Sequence, residues 1–290
     1  MTFPITIRNI EKSIDEFQLN VQDLTFEVGT ITAVVGTNGA GKSTFFKMLM
    51  NLVKPDNGEI EVFGHSVRGE DDAWKQQIAY QPQTMIGCDA FTGEQLRNLM
   101  AEVYPSWDES LFRRFSEKLN IPLNKKVQKL SPGVKTKLNL ALNFGKNTPI
   151  LMLDEPTAAM DIPSRNYFIQ FLLELMERGD RTVLIASHQA DDIKKLADYL
   201  VFINKGSVTR LLEKDSLVSS YRLFWLKEEP QVSHIPGEIK RTYKKVILSN
   251  HPETTMAYLS KNGLVIVDEQ VPELEDIIQE ILMEGEMINV

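Results

Sequence analysis

The stretch Gly36-Thr37-Asn38-Gly39-Ala40-Gly41-Lys42-Ser43-Thr44 constrains this chain more than any other, because it fits the spacing G-x-x-x-x-G-K-[ST]. Its flanks fit too. Ile31-Thr32-Ala33-Val34-Val35 is a short apolar run that reads as a buried strand. Phe45-Phe46-Lys47-Met48-Leu49-Met50 keeps helical apolar spacing and lacks Gly and Pro. A strand, a glycine-rich turn and a helix start wrap successive backbone N–H groups around one anion, since glycine lets the chain bend and approach closely. The helix N-terminus adds its partial positive charge. Lys42 is then placed to reach the β- and γ-phosphates of a nucleoside triphosphate, and the Ser43 hydroxyl to ligate Mg²⁺. A chance Gly-rich turn carrying Lys-Ser would lack these flanks.

The chain has 290 residues, room for one nucleotide-binding domain and a small extra unit. A net charge of -8 and the lack of any basic block argue against broad nucleic-acid binding. The single cysteine, Cys88, has no partner for an internal disulfide, which fits a reducing compartment, and it is expected to be a small buried hydrophobe. No apolar run approaches the ~18–20 residues that cross a bilayer, and Met1-Thr2-Phe3-Pro4-Ile5 has no signal-peptide character. The expected location is therefore cytoplasmic.

Residues 1–35 alternate apolar and polar, as antiparallel strands do, and Glu59–Phe63 alternates again after the turn Lys54–Gly58. A helix is expected over about Asp71–Gln76, then a strand at Ile78–Tyr80. The pattern turns helical over about 84–148, with helices opening at Gly93, spanning Trp107–Leu119, and starting at Ser131-Pro132. Strands return at Ile150–Leu153 and Thr182–Ala186, with a helix over Pro163–Arg178 between them. Leu200–Ile203 and Val208–Leu211 flank a last turn. The fold class is α/β: a mostly parallel sheet core, an antiparallel β subdomain and a helical insertion, all within residues 1–212. Residues 213–290 read as a small α+β domain. Its strands are Tyr221–Lys227, Val246–Ser249 and Leu264–Val267, and its helices Glu253–Ser260 and Pro272–Glu284. The polar stretch Lys227–Gly237 reads as its connector, and Met283–Val290 as a fraying end.

Ile150-Leu151-Met152-Leu153-Asp154-Glu155 is an apolar strand that ends in two carboxylates. Ligands sit at the carboxyl ends of parallel strands, so Asp154 is placed to hold Mg²⁺ and Glu155 to polarise an attacking water. Alone, an Asp-Glu pair is as readily a solvated turn; downstream of the phosphate loop it gains chemical meaning.

With these motifs in order, the chain resembles the ATP-binding subunits of ABC transporters over roughly residues 3–212, in an exporter-like form. Gln83 stands where that family has its Q-loop glutamine, which touches Mg²⁺ and the attacking water. Ser131 and Gly133, in Leu130-Ser131-Pro132-Gly133-Val134, stand in its signature loop. Asp161 stands in its D-loop, and His188 at its switch histidine. Singly, Gln83 reads as a surface residue, His188 as an exposed one and Asp161 as a helix cap. The resemblance implies a P-loop NTPase that hydrolyses ATP with Mg²⁺. It also implies a second ATP-binding subunit, with a homodimer preferred to a heterodimer, and integral membrane permease chains at the inner face of the cell membrane, without nucleic acid as a partner.

Two departures stand out. Pro132 and Val134 replace a glycine and a glutamine of the usual signature, although Ser131-Pro132 still makes a good helix start. Upstream, Ile14 occupies the place of the aromatic that stacks on adenine, with Phe17 close by as the alternative platform, which leaves ATP against GTP open. A permease is expected to dock near 83–104, with Met85, Ile86, Phe91 and Leu96 as candidate contacts, Leu96 and Leu99 being better explained as core. Efflux of an antimicrobial, peptide or lipid-like compound is the leading expectation, and a soluble ABC-type ATPase without a transport role is the alternative. A GTPase is disfavoured because Asn204-Lys205-Gly206-Ser207 lacks the final Asp of the guanine-reading motif.

Overall fold

The computed structural model describes residues 2–284, which divide at Leu211/Leu212 into two compact units. In the first, the alternating N-terminal residues form β1 (Ile5–Ile14). It pairs antiparallel with β2 (Phe17–Val21), β3 (Leu24–Phe26) and β5 (Asn57–Val62), and β5 pairs in turn with β6 (His65–Ser66). Ile5, Ile7 and Ile10 of β1 are buried.

The second part of this sheet is parallel. β4 (Ile31–Val35), β7 (Ile78–Gln81), β8 (Ile150–Asp154), β9 (Thr182–Ala186) and β10 (Tyr199–Asn204) run in the order β10-β4-β9-β8-β7. β4, β8 and β9 are buried along their whole length, as strands covered on both faces must be. β11 (Ser207–Val208) pairs with both β10 and β2 and so joins the two parts.

Six helices pack around this sheet: α1 (Lys42–Leu49), α2 (Gly93–Val103), α3 (Glu109–Lys118), α4 (Pro132–Gly145), α5 (Ile162–Met176) and α6 (Ala190–Leu196). Thr92 and Gln95 close a capping box on α2, and Asp108, Ser131 and Asp161 cap α3, α4 and α5. Aromatic packing anchors the insertion on α5. Phe115 of α3 and Phe144 of α4 meet Phe171 at centroid distances of 5.0 Å and 4.8 Å, and the Arg114 guanidinium lies 4.3 Å over that ring.

Several expectations need correcting. The helix expected over Asp71–Gln76 is a 3-10 turn at Ala73–Gln77. The last strand of the first unit stops at Val208 rather than Leu211. Cys88 is half-buried, because it sits in the loop ahead of α2 rather than in an element with a covered face. Leu99, read as core, is 44% exposed, although it shares a helix face with Leu96, which is 2% exposed as expected.

The second unit opens with β12 (Leu212–Glu213) and α7 (Lys214–Ser219). β13 (Arg222–Leu226), β14 (Glu238–Thr242), β15 (Val246–Ser249) and β16 (Ile266–Gln270) follow in the sheet order β14-β15-β13-β16, with α8 (Pro252–Lys261) and α9 (Leu274–Glu284). Lys227–Gly237 is no connector: Ile235 within it is fully buried with Phe224, Leu226, Ile247 and Leu259 in this unit's core. The fraying expected for Met283–Val290 falls largely outside the described residues.

Candidate active site

Four parallel strands bring the chemistry to one edge. In register, Val34 and Asp154 both lie beside Ala186, and Gln81 lies beside Leu153. The segments that leave β4, β7, β8 and β9 at this edge carry the phosphate loop, Gln83, Asp154 with Glu155, and His188.

The phosphate loop turns on Gly41, the N-cap of α1, at φ +113°, a backbone that side-chain-bearing residues avoid. A Cβ at Gly41 would also stand 2.7 Å from the Phe17 ring. The first turn of α1 holds no acidic residue of its own, which leaves the partial positive charge of its N-terminus to groups from other segments. A cavity of about 450 Å³ opens there, lined by Ile14, Phe17, Thr37, Asn38, Gly39, Gly41, Lys42, Ser43, Thr44, Gln83, Asp154 and Glu155. Gly36 and Ala40 are buried in the loop and stay off this wall.

Lys42 is 7% exposed; its Nζ donates to the Gly36 carbonyl at 2.7 Å and the Thr37 carbonyl at 3.3 Å, and lies 3.7 Å from Glu155 Oε1. The other oxygen, Glu155 Oε2, is 2.8 Å from His188 Nδ1. Glu155 itself holds φ +52°, left-handed for a non-glycine residue, and its N–H donates to the Ala186 carbonyl at 2.9 Å. Lys42, Glu155 and His188 thus form one chain of contacts, in which Lys42 and Glu155 line the cavity and His188 meets Glu155 from outside its wall.

Asp154 is 2% exposed, and its Oδ1 has no hydrogen-bond partner. Burial pushes its carboxyl above the usual range, against a hydrogen bond from Ser43 and the Lys42 charge. A buried, unpartnered carboxylate oxygen beside a hydroxyl suits a hard cation. Mg²⁺ characteristically takes one or two carboxylates and leaves its other positions to water and phosphate. Among the described residues no group of three or more His, Cys, Asp or Glu is placed to hold a metal ion. Tyr80, which sequence reasoning missed, stands beside this site: its hydroxyl is buried without a partner, and burial together with the Asp154 charge pushes its pKa up. Its position two residues ahead of Pro82, at a strand end, was the available signal.

The structure does not bring Ser131, Gly133 and Asp161 into this cavity. Ser131 is exposed and its Oγ accepts from the Val134 N–H at 3.4 Å. A Cβ on Gly133 would stand 2.5 Å from the Ala159 carbonyl oxygen, so only glycine lets the start of α4 lie against the segment before α5. Asp161 accepts from the Ser164 N–H at 2.8 Å and pairs with Lys137 at 2.9 Å, which holds its carboxyl well below the usual range. Gln83 lines both the main cavity and a second one of about 300 Å³, shared with Met85, Pro132, Thr136 and Ala159.

An ABC transporter family model matches residues 19–158. The ABC transporter ATP-binding protein YtrB of Bacillus subtilis (strain 168) is 31% identical over 218 residues, which cover 75% of this chain and 74% of that protein. The chain belongs to the ABC transporter family. Within the family it is an ATP-binding subunit with the ATPase fold. The daunorubicin/doxorubicin resistance ATP-binding protein DrrA of Streptomyces peucetius is 30% identical over 211 residues, 70% of this chain and 62% of that protein. A solved structure of an ATP-binding subunit of an ABC transporter superposes with a TM-score of 0.65 at 24% identity, covering 74% of this chain and 92% of that one. No helix among the described residues of this ABC subunit is long and apolar enough to cross a membrane.

Proposed function

We propose that this subunit hydrolyses ATP at the cavity above Lys42 and powers export by a membrane permease. The observation that carries the reading is the convergence of Lys42, Asp154 and Glu155 on one cavity at the carboxyl edge of the parallel strands, with His188 held against Glu155 from outside the cavity wall. Lys42 exchanges its carbonyl partners for the β- and γ-phosphate oxygens, and the N–H groups around Gly39 and Gly41 hold the β-phosphate. Asp154 and Ser43 would hold Mg²⁺, with Gln83 at the lip of the site; bound there, the cation neutralises charge that develops on the phosphates. Glu155 accepts the proton of the attacking water, and His188 orients Glu155 and meets the γ-phosphate. Phe17, with Ile14, offers the base an apolar wall, which by itself does not select ATP over GTP.

Ser131, Gly133 and Asp161 serve a second copy rather than their own cavity. The exposure of Ser131 and Asp161, with Gly133 half-buried, supports a head-to-tail pair in which each ATP lies between one phosphate loop and the other copy's Ser131. A homodimer is the simplest such pair. The exposed Ile86 and Phe91, 83% and 43% accessible, support docking of permease chains at the inner face of the membrane. The resemblance to a drug-resistance ATP-binding protein supports efflux of an antimicrobial, peptide or lipid-like compound.

Steady-state ATP hydrolysis tests the chemistry. Glu155→Gln should lower kcat by about 10²–10⁴-fold, the usual weight of a general base. Asp154→Asn should lose the stimulation by Mg²⁺. Wild-type turnover by Glu155→Gln would remove Glu155 from the mechanism.

A further inference from the structure

A buried carboxylate outside the cavity links three segments that the proposed chemistry uses. Asp192, on α6, is 1% exposed, and both its oxygens are engaged. Oδ2 accepts from the Thr157 hydroxyl at 2.6 Å, and Oδ1 accepts from Arg165 Nε at 2.6 Å. Each partner belongs to a different segment. Thr157, itself buried, lies two residues after Glu155 in the turn that leaves β8. Arg165 is in the first turn of α5, where its N–H donates to the carbonyl of Asp161 at 2.9 Å. Asp192 lies in the first turn of α6, which starts just after His188, and its N–H donates to the Gln189 carbonyl at 3.1 Å.

We infer that Asp192 is a positioning residue for ATP hydrolysis, which through Thr157 holds the Glu155 turn in register with the His188 segment. The ion pair with Arg165 alone would hold α5 against α6. The second oxygen does something different, because it reaches the turn that carries Glu155. That turn is tied to β9 by the Glu155 N–H bond to the Ala186 carbonyl, and the Thr157 hydroxyl adds a second tie, to α6. Glu155 sits in the left-handed region, which a non-glycine residue keeps only where its surroundings enforce it. The turn's own bond from the Ala158 N–H to the Glu155 carbonyl is long, at 3.4 Å. A charge-assisted bond of 2.6 Å in a site closed to water is directional and meets no competition from solvent. Asp192 therefore fixes where Glu155 points relative to His188, and couples both to the segment that begins at Asp161.

The inference rests on the catalytic reading of Glu155. The discriminating variant is Thr157→Val, which removes the hydroxyl at nearly constant volume and leaves the Arg165–Asp192 pair in place. ATP turnover by the full chain should fall at least tenfold in kcat with KM for ATP within about twofold of wild type, because the phosphate loop is untouched. Thr157→Ser, which restores the donor, should return kcat to within about threefold. A purely structural bond would lower the melting temperature and leave kcat alone. A Thr157→Val kcat within twofold of wild type, or a Ser variant as slow as the Val one, would overturn the role. Glu155→Gln, assayed alongside, separates the two failures. If it turns over like wild type, the catalytic reading falls and the inference with it; if it is inactive while Thr157→Val is normal, the positioning role alone falls.

Discussion

The contact between Lys42 and Glu155 predicts that its two partners are unequal. The charges lie 3.7 Å apart with side chains 7% and 6% exposed. At an effective dielectric constant near 20, that separation corresponds to a gross attraction of about 4 kcal/mol. Lys42→Met keeps the stem and removes the charge, which leaves the Glu155 carboxylate buried with His188 as its remaining partner. Breaking a buried pair from one side costs about 3–5 kcal/mol in other proteins, and the His188 contact should reduce this to about 2–3. Glu155→Gln behaves differently, because Lys42 keeps its bonds to the Gly36 and Thr37 carbonyls; its cost should be about 1 kcal/mol or less. The assay is thermal unfolding without nucleotide, read on the transition that ATP raises in the wild type, since that transition reports the nucleotide-binding unit. At about 2–4 °C per kcal/mol for a unit of this size, Lys42→Met should melt about 5–10 °C lower and Glu155→Gln within about 4 °C of wild type. A Lys42→Met protein as stable as Glu155→Gln would refute the claim that the buried carboxylate depends on Lys42.

Two further outcomes follow. Burial beneath Tyr104 and beside Asn143 lowers the Lys146 ammonium from 10.5 to about 8. Between those values the unfolded chain holds a proton that the folded chain has released, so this group makes stability rise with pH across pH 8–10.5. Urea midpoints should therefore climb more steeply over that window in the wild type than in Lys146→Met, and equal slopes would contradict the burial argument. At the docking face, Ile86→Asp or Phe91→Asp should abolish co-purification with the permease while leaving ATP binding unchanged; undiminished co-purification would remove that surface from the interface.

The phosphate loop, the Asp154-Glu155 pair and His188 were legible in the sequence because each follows a short run of buried strand. In a parallel sheet the residue after such a run lands at the ligand edge. The order of the main strands and the insertion helices was legible for the same reason of periodicity, helped by caps such as Thr92, Asp108 and Ser131. The contacts within the site were not. That Glu155 bridges Lys42 and His188, or that Asp192 gathers Thr157 and Arg165, depends on which strands lie side by side, and separations of 27 and 35 residues carry no local signature. α6 escaped notice because seven residues are too few for an apolar stripe, although Asp191 and Asp192 at its start and Lys194 and Lys195 at its end complement a helix dipole. β14 was missed because Glu238–Thr242 is half-buried throughout and so shows no alternation. The stretch before it looked like a linker because its polar residues conceal one buried anchor, Ile235.

Light scattering of purified Glu155→Gln with and without Mg-ATP tests the proposed ATP sandwich most directly. The substitution keeps Lys42 and the phosphate loop while removing the acceptor for the water's proton, so closed pairs should accumulate. An ATP-dependent shift from monomer to dimer that Ser131→Arg abolishes is the predicted result, and it would place the Ser131 loop across the nucleotide of a second copy. A monomer that persists with ATP bound would contradict self-association through that loop.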